Sequence, residues 1–498
     1  MPKFETAHRI EQGGSIDYDT DRLAGQGGMK RVFFTRDGCE VVAFYLTPIQ
    51  DRSDPRIRRL SDVIGRFNPT RNGENLCDHW RRVFCWPTAL VHHPQRGLGF
   101  VAPAYPKNFF FSEGKRKGTE KSGQWFNNID SGSQRAFRHV HIEPSERGDL
   151  RSLVCSLQEL CRAVNRMHLA GLAHSDLSEN NVLFDPCRRT AMVIDVDSLV
   201  VTGQYPAEVL GTPMFIAPEV LQTRSLPLAH PSRKHPSAET DKHALAVIIY
   251  RTLLERHPLD GVRRILGVTA EEEDERKFSC EAVYAEHATD CSNRPTPRDW
   301  IRATSLGHDV ASRFEQAFVQ GLTNPTLRPL PSSWIRVFGD LLDNMVRCPN
   351  PTCRHGWQVV LPPWNGSCGC CGTPLGRKVL QIEFQKPRKV GWYSKLRTLV
   401  VASGNEPTHD QLGIFRHHLT GEDSPIGEVT CLAALESNAG HQRMVLRNTR
   451  LDLLSARSRP ETSNFSKIES GKGLLLEPGV ECVLRSGDVT ARGRVTTV

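Results

Sequence analysis

His174-Ser175-Asp176-Leu177-Ser178-Glu179-Asn180-Asn181 is the stretch on which the reading of this chain turns. It follows Leu150 to Met167, where Leu153, Leu157, Leu160, Cys161 and Val164 recur at helical spacing and predict an amphipathic helix. It precedes Val182-Leu183-Phe184, a short apolar run that reads as a strand. The eight residues are therefore a loop that sets a carboxylate, Asp176, five positions ahead of a carboxamide, Asn181. Working outward, Met192-Val193-Ile194 predicts a second strand, and it runs into Asp195-Val196-Asp197. Gly211-Thr212-Pro213-Met214-Phe215-Ile216-Ala217-Pro218-Glu219 comes next, then Thr240-Asp241 ahead of the apolar run Ala244 to Tyr250, then Asn324-Pro325-Thr326-Leu327-Arg328-Pro329. Upstream, Gly25-Gln26-Gly27-Gly28-Met29-Lys30-Arg31-Val32-Phe33 reads as a glycine-rich turn between two strands, and Val41-Val42-Ala43-Phe44-Tyr45 as the strand after it.

In this order these motifs resemble those of protein kinases, over about residues 20–342. The resemblance implies a two-lobed α+β fold: an N-terminal segment 1–20, an N-lobe 21–104 and a C-lobe 105–342. It places Asp176 at the catalytic-base position and Asn181 at a metal-binding position. Asp195 is the better second metal ligand, because it directly follows the strand; Asp197 is the alternative. Phosphoryl transfer needs a carboxylate to orient the attacking hydroxyl and oxygen ligands to hold Mg²⁺ (or Mn²⁺) on the phosphates of ATP. Gly25, Gly27 and Gly28 would let the backbone approach those phosphates. Gly211 to Glu219 resembles the end of a Ser/Thr-kinase activation segment, which implies protein substrates rather than small molecules. Asp241 resembles the residue that anchors the catalytic-loop backbone, and Arg328 the partner of Glu219 in a buried pair.

The departures are as informative. The strand Val41 to Tyr45 occupies the place where kinases carry their ATP-binding lysine, and the matching position is Ala43 or Phe44. Lys30, just after the glycine turn, stands where the with-no-lysine kinases carry a replacement, and a flexible ammonium serves as a point charge from either strand. The rival reading is a pseudokinase scaffold that binds nucleotide without catalysis. The helical pattern Arg56 to Phe67 contains no Glu, and Asp62 is its only mid-helix acid. Ser175 replaces the arginine that pairs with a phosphorylated activation loop in many kinases, so activation by that pair is not expected. His174 to Asn181 with Ile194 to Ser198 also resembles RIO-type kinases; the sum reads as a divergent, bacterial-type Ser/Thr kinase. Phe84-Cys85-Trp86-Pro87 predicts N-lobe core. Pro103-Ala104-Tyr105-Pro106 falls at the interlobe hinge; prolines have no N–H, so Ala104 or Tyr105 must donate to adenine.

The rest of the chain is bounded by composition and spacing. With 38% hydrophobic and 24% charged residues the 498-residue chain is globular, which excludes disordered and collagen-like classes. Its net charge of +8 is too small for this length to argue for nucleic acid, which is not expected as a partner. No apolar run approaches the ~18 residues of a membrane helix, and the first residues lack an apolar signal core, so a cytoplasmic protein with reduced cysteines is expected. Residues 112–148, with Lys115-Arg116-Lys117, read as a solvated basic insertion. Cys348, Cys353, Cys368 and Cys371 form two knuckles, and their spacing resembles a zinc ribbon (346–377) binding Zn²⁺ structurally; Cys370 or His355 could replace one ligand. Residues 378–498 predict an all-β domain. Leu446 to Thr449, Leu475 to Gly479 and Leu484 to Asp488 faintly resemble a forkhead-associated sandwich without its phosphate-contact motifs, so a protein-binding module, with phosphoproteins among its partners, is the expectation.

Overall fold

Alternating apolar residues along the first hundred positions close a six-stranded barrel. The structure is a computed structural model of the chain and describes residues 3–11, 13–26, 29–127, 141–201, 203–205, 207, 211–227, 230–265, 269–295, 301–389, 392–402, 413–423, 430–438, 443–458 and 464–498. Strands β1 (Phe4–Arg9), β2 (Ser15–Gln26), β3 (Lys30–Thr35), β4 (Glu40–Tyr45), β5 (Ala89–His93) and β6 (Gly97–Pro103) pair in the order β1-β2-β3-β4-β6-β5. The barrel closes where His8 and Arg9 pair with His92 and Val91. Strand side chains alternate between faces, and Tyr18, Phe33, Val42, Phe44, Val91 and Val101 fill the interior. Residues 4–19, expected as a segment ahead of the first lobe, are barrel strands paired from Phe4↔Asp19 to His8↔Ser15.

The other face of β4 does different work. Ala43 and Tyr45 join Ile57, Leu60 and Ile64 of helix α1 (Pro55–Ile64), together with Phe100, Leu183, Met192 and Ile194. Helix α1 starts where the Asp54 carboxylate accepts the Arg56 N–H at 2.9 Å and Pro55 needs no hydrogen-bond acceptor. Phe84 and Trp86 are buried as expected, and the Trp86 indole N–H donates to Val63 O at 2.8 Å.

Next come α2 (Cys77–Val83), α3 (Leu150–Leu169), β7 (Leu172–Ala173), β8 (Val182–Asp185), β9 (Thr190–Val193), β10 (Val200–Val201), α4 (Pro218–Thr223) and α5 (Ala238–Leu254). The β8–β9 hairpin and the β7–β10 pair bracket the catalytic-loop stretch. Of the stretch read as a solvated basic insertion, residues 112–119 with Lys115-Arg116-Lys117 lie at the surface, whereas 121–127 turn inward. Phe111 and Phe126 are buried, Phe184 N–H donates to Lys121 O at 2.8 Å, and the buried Lys121 ammonium sits 3.1 Å from Glu146. The aromatic residues outweigh the nearby charges, and the buried cation is paired. Residues 128–140 lie outside the described residues.

By compactness the chain forms two units: Met1–Gly148 with Cys155–Trp300 and Arg313–Ser332, and Asp149–Val154 with Ile301–Ser312 and Ser333–Val498. The second unit takes most of helix α6 (Pro331–Asp343), which the domain reading gave to the kinase C-lobe. The reason is the buried Arg397, which donates to Asp340 at 3.0 Å and to Asp343 at 3.4 Å. The tail is a six-stranded and a four-stranded antiparallel sheet around Leu380, Ile382, Phe384, Leu435, Leu446 and Leu484. It is β-rich rather than all-β, because Arg416–Thr420 is a short helix. Phe415 N–H donates to His418 Nδ1 at 2.9 Å, and His418 Nε2 lies 3.2 Å from Asp343 Oδ1. No helix among the described residues is long and apolar enough to cross a membrane.

Candidate active site

The loop at the centre of the sequence reading is held from below by one carboxylate. Asp241, in the first turn of α5, accepts the His174 N–H at 2.7 Å and the Ser175 N–H at 3.2 Å. Ser175 takes a left-handed φ of 65°, a strained conformation for a residue with a side chain, and the two N–H bonds hold it there. The His174 ring bonds Ile194 O at 2.9 Å, which ties the loop to the strand before Asp195.

These anchors orient Asp176. Asn181 Nδ2 donates to Asp176 O at 2.7 Å and to Asp176 Oδ2 at 3.1 Å, and Thr212 Oγ1 donates to Asp176 Oδ1 at 2.7 Å. Each carboxylate oxygen thus carries one fixed donor and keeps lone-pair capacity for a second. Thr212 was quoted as part of a motif, but its bond to Asp176 is long-range and carries no local signal. Asn181 O accepts the Ile194 N–H at 3.1 Å, so Asn181 and Asp195 lie on adjoining segments.

Lys30 reaches this place from β3. It pairs with Tyr45 across the β3–β4 ladder, so both project to the face that carries Ala43. This decides between the two matching positions in favour of Ala43: Phe44 points into the barrel, and the side facing the site is held by Ala43 and Tyr45. The Lys30 ammonium lies 2.8 Å from Asp195 Oδ1 and 2.7 Å from each oxygen of Asp197. Burial alone would lower its pKa, but Asp197 and Asp195 outweigh burial and hold it above the ordinary lysine value. Two carboxylates around one ammonium, with Asp176 nearby in the chain, leave an excess of negative charge. Asp195 and Asn181 offer hard oxygen ligands of the kind Mg²⁺ takes, so the residues fit the metal that the resemblance implies.

Other expectations resolve as follows. Gly25 is the next-to-last residue of β2, opposite Val32; Gly27 and Gly28 lie outside the described residues. Ala104 N–H donates to Cys39 O at 2.9 Å, which removes it as an adenine donor and leaves Tyr105. Asp62 does not approach Lys30; it accepts the Tyr205 hydroxyl at 2.8 Å. Arg328 meets Glu219 through two parallel bonds of 2.8 and 2.7 Å and also donates to Gly321 O and Glu239 O at 2.8 and 2.9 Å. Gly321 is required there, because a Cβ would sit 2.7 Å from Arg328 Cγ. A second buried pair escaped the sequence reading: Arg251 Nε donates to Glu179 at 2.6 Å, joining the loop to α5. Its members are 72 positions apart, so spacing gives no hint of it.

His257 beneath the activation segment carries a pH dependence. Its ring bonds Met214 O at 3.1 Å, and burial, reinforced by Arg251, pushes its pKa down from 6.5 to about 3. The unfolded chain therefore binds a proton between these values that the folded chain refuses. The contribution to stability is complete above pH ~6.5 and declines as pH falls toward ~3. Urea unfolding is expected to give a lower midpoint at pH ~5 than at neutral pH, and His257→Gln to narrow that difference.

In the second unit the four cysteines chosen from the sequence converge. Cys348 and Cys371 Sγ are 3.6 Å apart, Cys353 and Cys368 Sγ 3.8 Å, and all four lie within 4.8 Å of one another. A tetrahedron of thiolates around a metal at ~2.3 Å has S···S edges of about 3.8 Å, so the group has the right size for zinc. Cys370 and His355 are not in the group.

Residues 137–323 match the protein kinase domain family, the stretch that holds Asp176, Asn181, Asp195, Thr212, Glu219 and Asp241; the fold around it is protein-kinase-like. The chain is similar to "Probable serine/threonine-protein kinase RTK1" of Saccharomyces cerevisiae, 30% identical over 24% of this chain and 20% of that protein. It is also similar to the phosphorylase b kinase gamma catalytic chain, liver/testis isoform, of Rattus norvegicus, 30% identical over 30% of this chain and 39% of that one. The chain thus spans between a fifth and two fifths of these relatives' lengths. Among solved structures, a Toxoplasma gondii rhoptry antigen kinase domain is 15% identical with a TM-score of 0.39, covering 68% of this chain and 86% of that one.

Proposed function

We propose that the chain is an active Ser/Thr protein kinase that moves the γ-phosphoryl group of ATP·Mg²⁺ onto protein hydroxyls with a displaced lysine. The observation that carries this is Lys30, which crosses from β3 to bond Asp195 beside the loop that orients Asp176. In this reading Asp176 accepts and aligns the substrate hydroxyl. Asn181 and Asp195 hold Mg²⁺, which neutralises phosphate charge when bound. Lys30 contacts the phosphates, the glycine turn covers them, and Tyr105 N–H receives adenine. Gly211 to Ala217, with Thr212 on Asp176, forms the platform for the peptide. The pseudokinase reading has one observation in its favour, the absence of lysine beside Ala43 on β4. Two variants separate the readings: Lys30→Ala is expected to abolish transfer, whereas Ala43→Lys changes it little. Full transfer by Lys30→Ala would sink the with-no-lysine arrangement.

The same proposal gives the cysteine group one structural Zn²⁺, with no open coordination position for chemistry. Metal analysis of the purified chain is expected to find zinc that is lost in Cys348→Ser/Cys371→Ser; zinc retained in that variant contradicts the site. The β-rich tail then binds a protein partner, with phosphoproteins the class to test first, in the reducing cytoplasm.

A further inference from the structure

The Lys30 ammonium has three protons and meets three carboxylate oxygens: one from Asp195 and both from Asp197. The two acids are not equivalent. The Asp197 side chain is 6% exposed and the Asp195 side chain 42%. Asp195 takes a left-handed φ of 59°, and the turn Val196–Ser198 that follows carries Asp197 back under the lysine. In protein kinases generally the phosphate-binding lysine is paired by a glutamate of a mobile helix, whose position controls activity. Helix α1 cannot supply that partner. Its central acid, Asp62, is taken by Tyr205, and α1 has no glutamate.

We propose that Asp197 is the positioning residue for Lys30, so that the turn after Asp195, rather than α1, holds the lysine ready for nucleotide phosphates. This rests on the kinase reading above for what Lys30 is ready for, but not for the pairing itself. With a nucleotide and its cation bound, Lys30 would give its single bond with the exposed Asp195 to a phosphate oxygen, and Asp195 would be free to hold the cation. The two bonds to buried Asp197 stay. The lysine is therefore paired by the turn Val196–Ser198, against which α1 packs, and not by a side chain of α1.

The test uses the full chain and two readouts. The first is the rate at which an amine-reactive reagent labels Lys30, followed by mass spectrometry without nucleotide. Asp197→Asn is expected to raise that rate at least ~10-fold by freeing the amine, and Asp62→Asn to leave it unchanged. Equal labelling of wild type and Asp197→Asn, or faster labelling in Asp62→Asn, overturns the proposal. The second is Mg²⁺·ATP binding in a double-mutant cycle, which isolates pairwise coupling. Asp197→Asn is expected to weaken binding in the wild-type background and to do nothing further in Lys30→Ala. An undiminished loss in Lys30→Ala overturns the proposal and makes Asp197 a cation ligand. If Asp197→Asn does not fold because the buried ammonium keeps only its bond to Asp195, Lys30→Met/Asp197→Asn is expected to restore folding; a double variant that stays unfolded overturns the pairing. A protein that passes both tests yet transfers no phosphate refutes the activity and leaves the pairing intact.

Discussion

Asp176→Asn is expected to lower phosphoryl transfer by about 10²–10⁴-fold, the range of a positioned general base, with little change in fold or nucleotide affinity. The carboxylate is gripped on both oxygens, by Asn181 Nδ2 and by Thr212 Oγ1. An asparagine keeps the shape and one acceptor but loses the charge that attracts a hydroxyl proton. It also presents an NH₂ group to one of two donors, so one of these bonds breaks. Thr212→Val keeps the carboxylate and removes one orienting bond, so its expected loss is smaller and falls on kcat rather than on KM for ATP. Steady-state kinetics on the two variants checks both statements. A fall in KM-dependent binding alone, with kcat intact, would remove Asp176 from the chemistry.

The largest stability effect is expected at Glu219 and Arg328. Removing one partner of a buried ion pair costs ~3–5 kcal/mol, because the other charge is left uncompensated. The two halves differ here. The Arg328 side chain is wholly buried and that of Glu219 is 18% exposed. Glu219→Ala therefore strands a cation with no route to water, while Arg328→Met strands a carboxylate that water can reach and two carbonyls, Gly321 O and Glu239 O. Glu219→Ala is expected at the upper end of that range and Arg328→Met at the lower. The pair Glu219→Leu/Arg328→Met should recover part of the loss, because replacing both charges avoids the stranded one. Denaturant midpoints measured on the four proteins decide this; a loss below ~1 kcal/mol in both single variants would place the pair with ordinary surface bridges.

The catalytic loop, Asp241 and the Glu219–Arg328 pair were legible because each is carried by a local motif whose partner is another motif. Lys30 was legible from its spacing after Gly25. Its partner was not. Asp195 and Asp197 stand two apart in a turn, and only the direction from which Lys30 arrives ranks them. The choice on β4 between Ala43 and Phe44 was left open for a related reason. Alternation separates Ala43 and Tyr45 from Phe44, but which set faces the site is decided by the register of Lys30 against Tyr45, set by the β3–β4 connection. In 112–148 the run Lys115-Arg116-Lys117 drew attention from Trp125, which packs on Phe111, and from Phe126, which packs between Phe111 and Phe184. β1 was missed because Phe4 to Arg9 is largely polar, and only Ala7 of its residues enters the barrel core. The cysteine group was legible from its knuckle spacing, but spacing left Cys370 and His355 as alternatives that only the convergence of the four Sγ atoms set aside.

The central claim is that Lys30, Asp176 and Asp195 form working phosphotransfer machinery without a lysine on β4. The most direct measurement is incorporation of labelled γ-phosphate from ATP with Mg²⁺ into the chain itself and into a generic Ser/Thr protein substrate, with wild type run beside Asp195→Asn. Label in wild type that disappears in Asp195→Asn is the result this account predicts. Equal incorporation in the two proteins would contradict it.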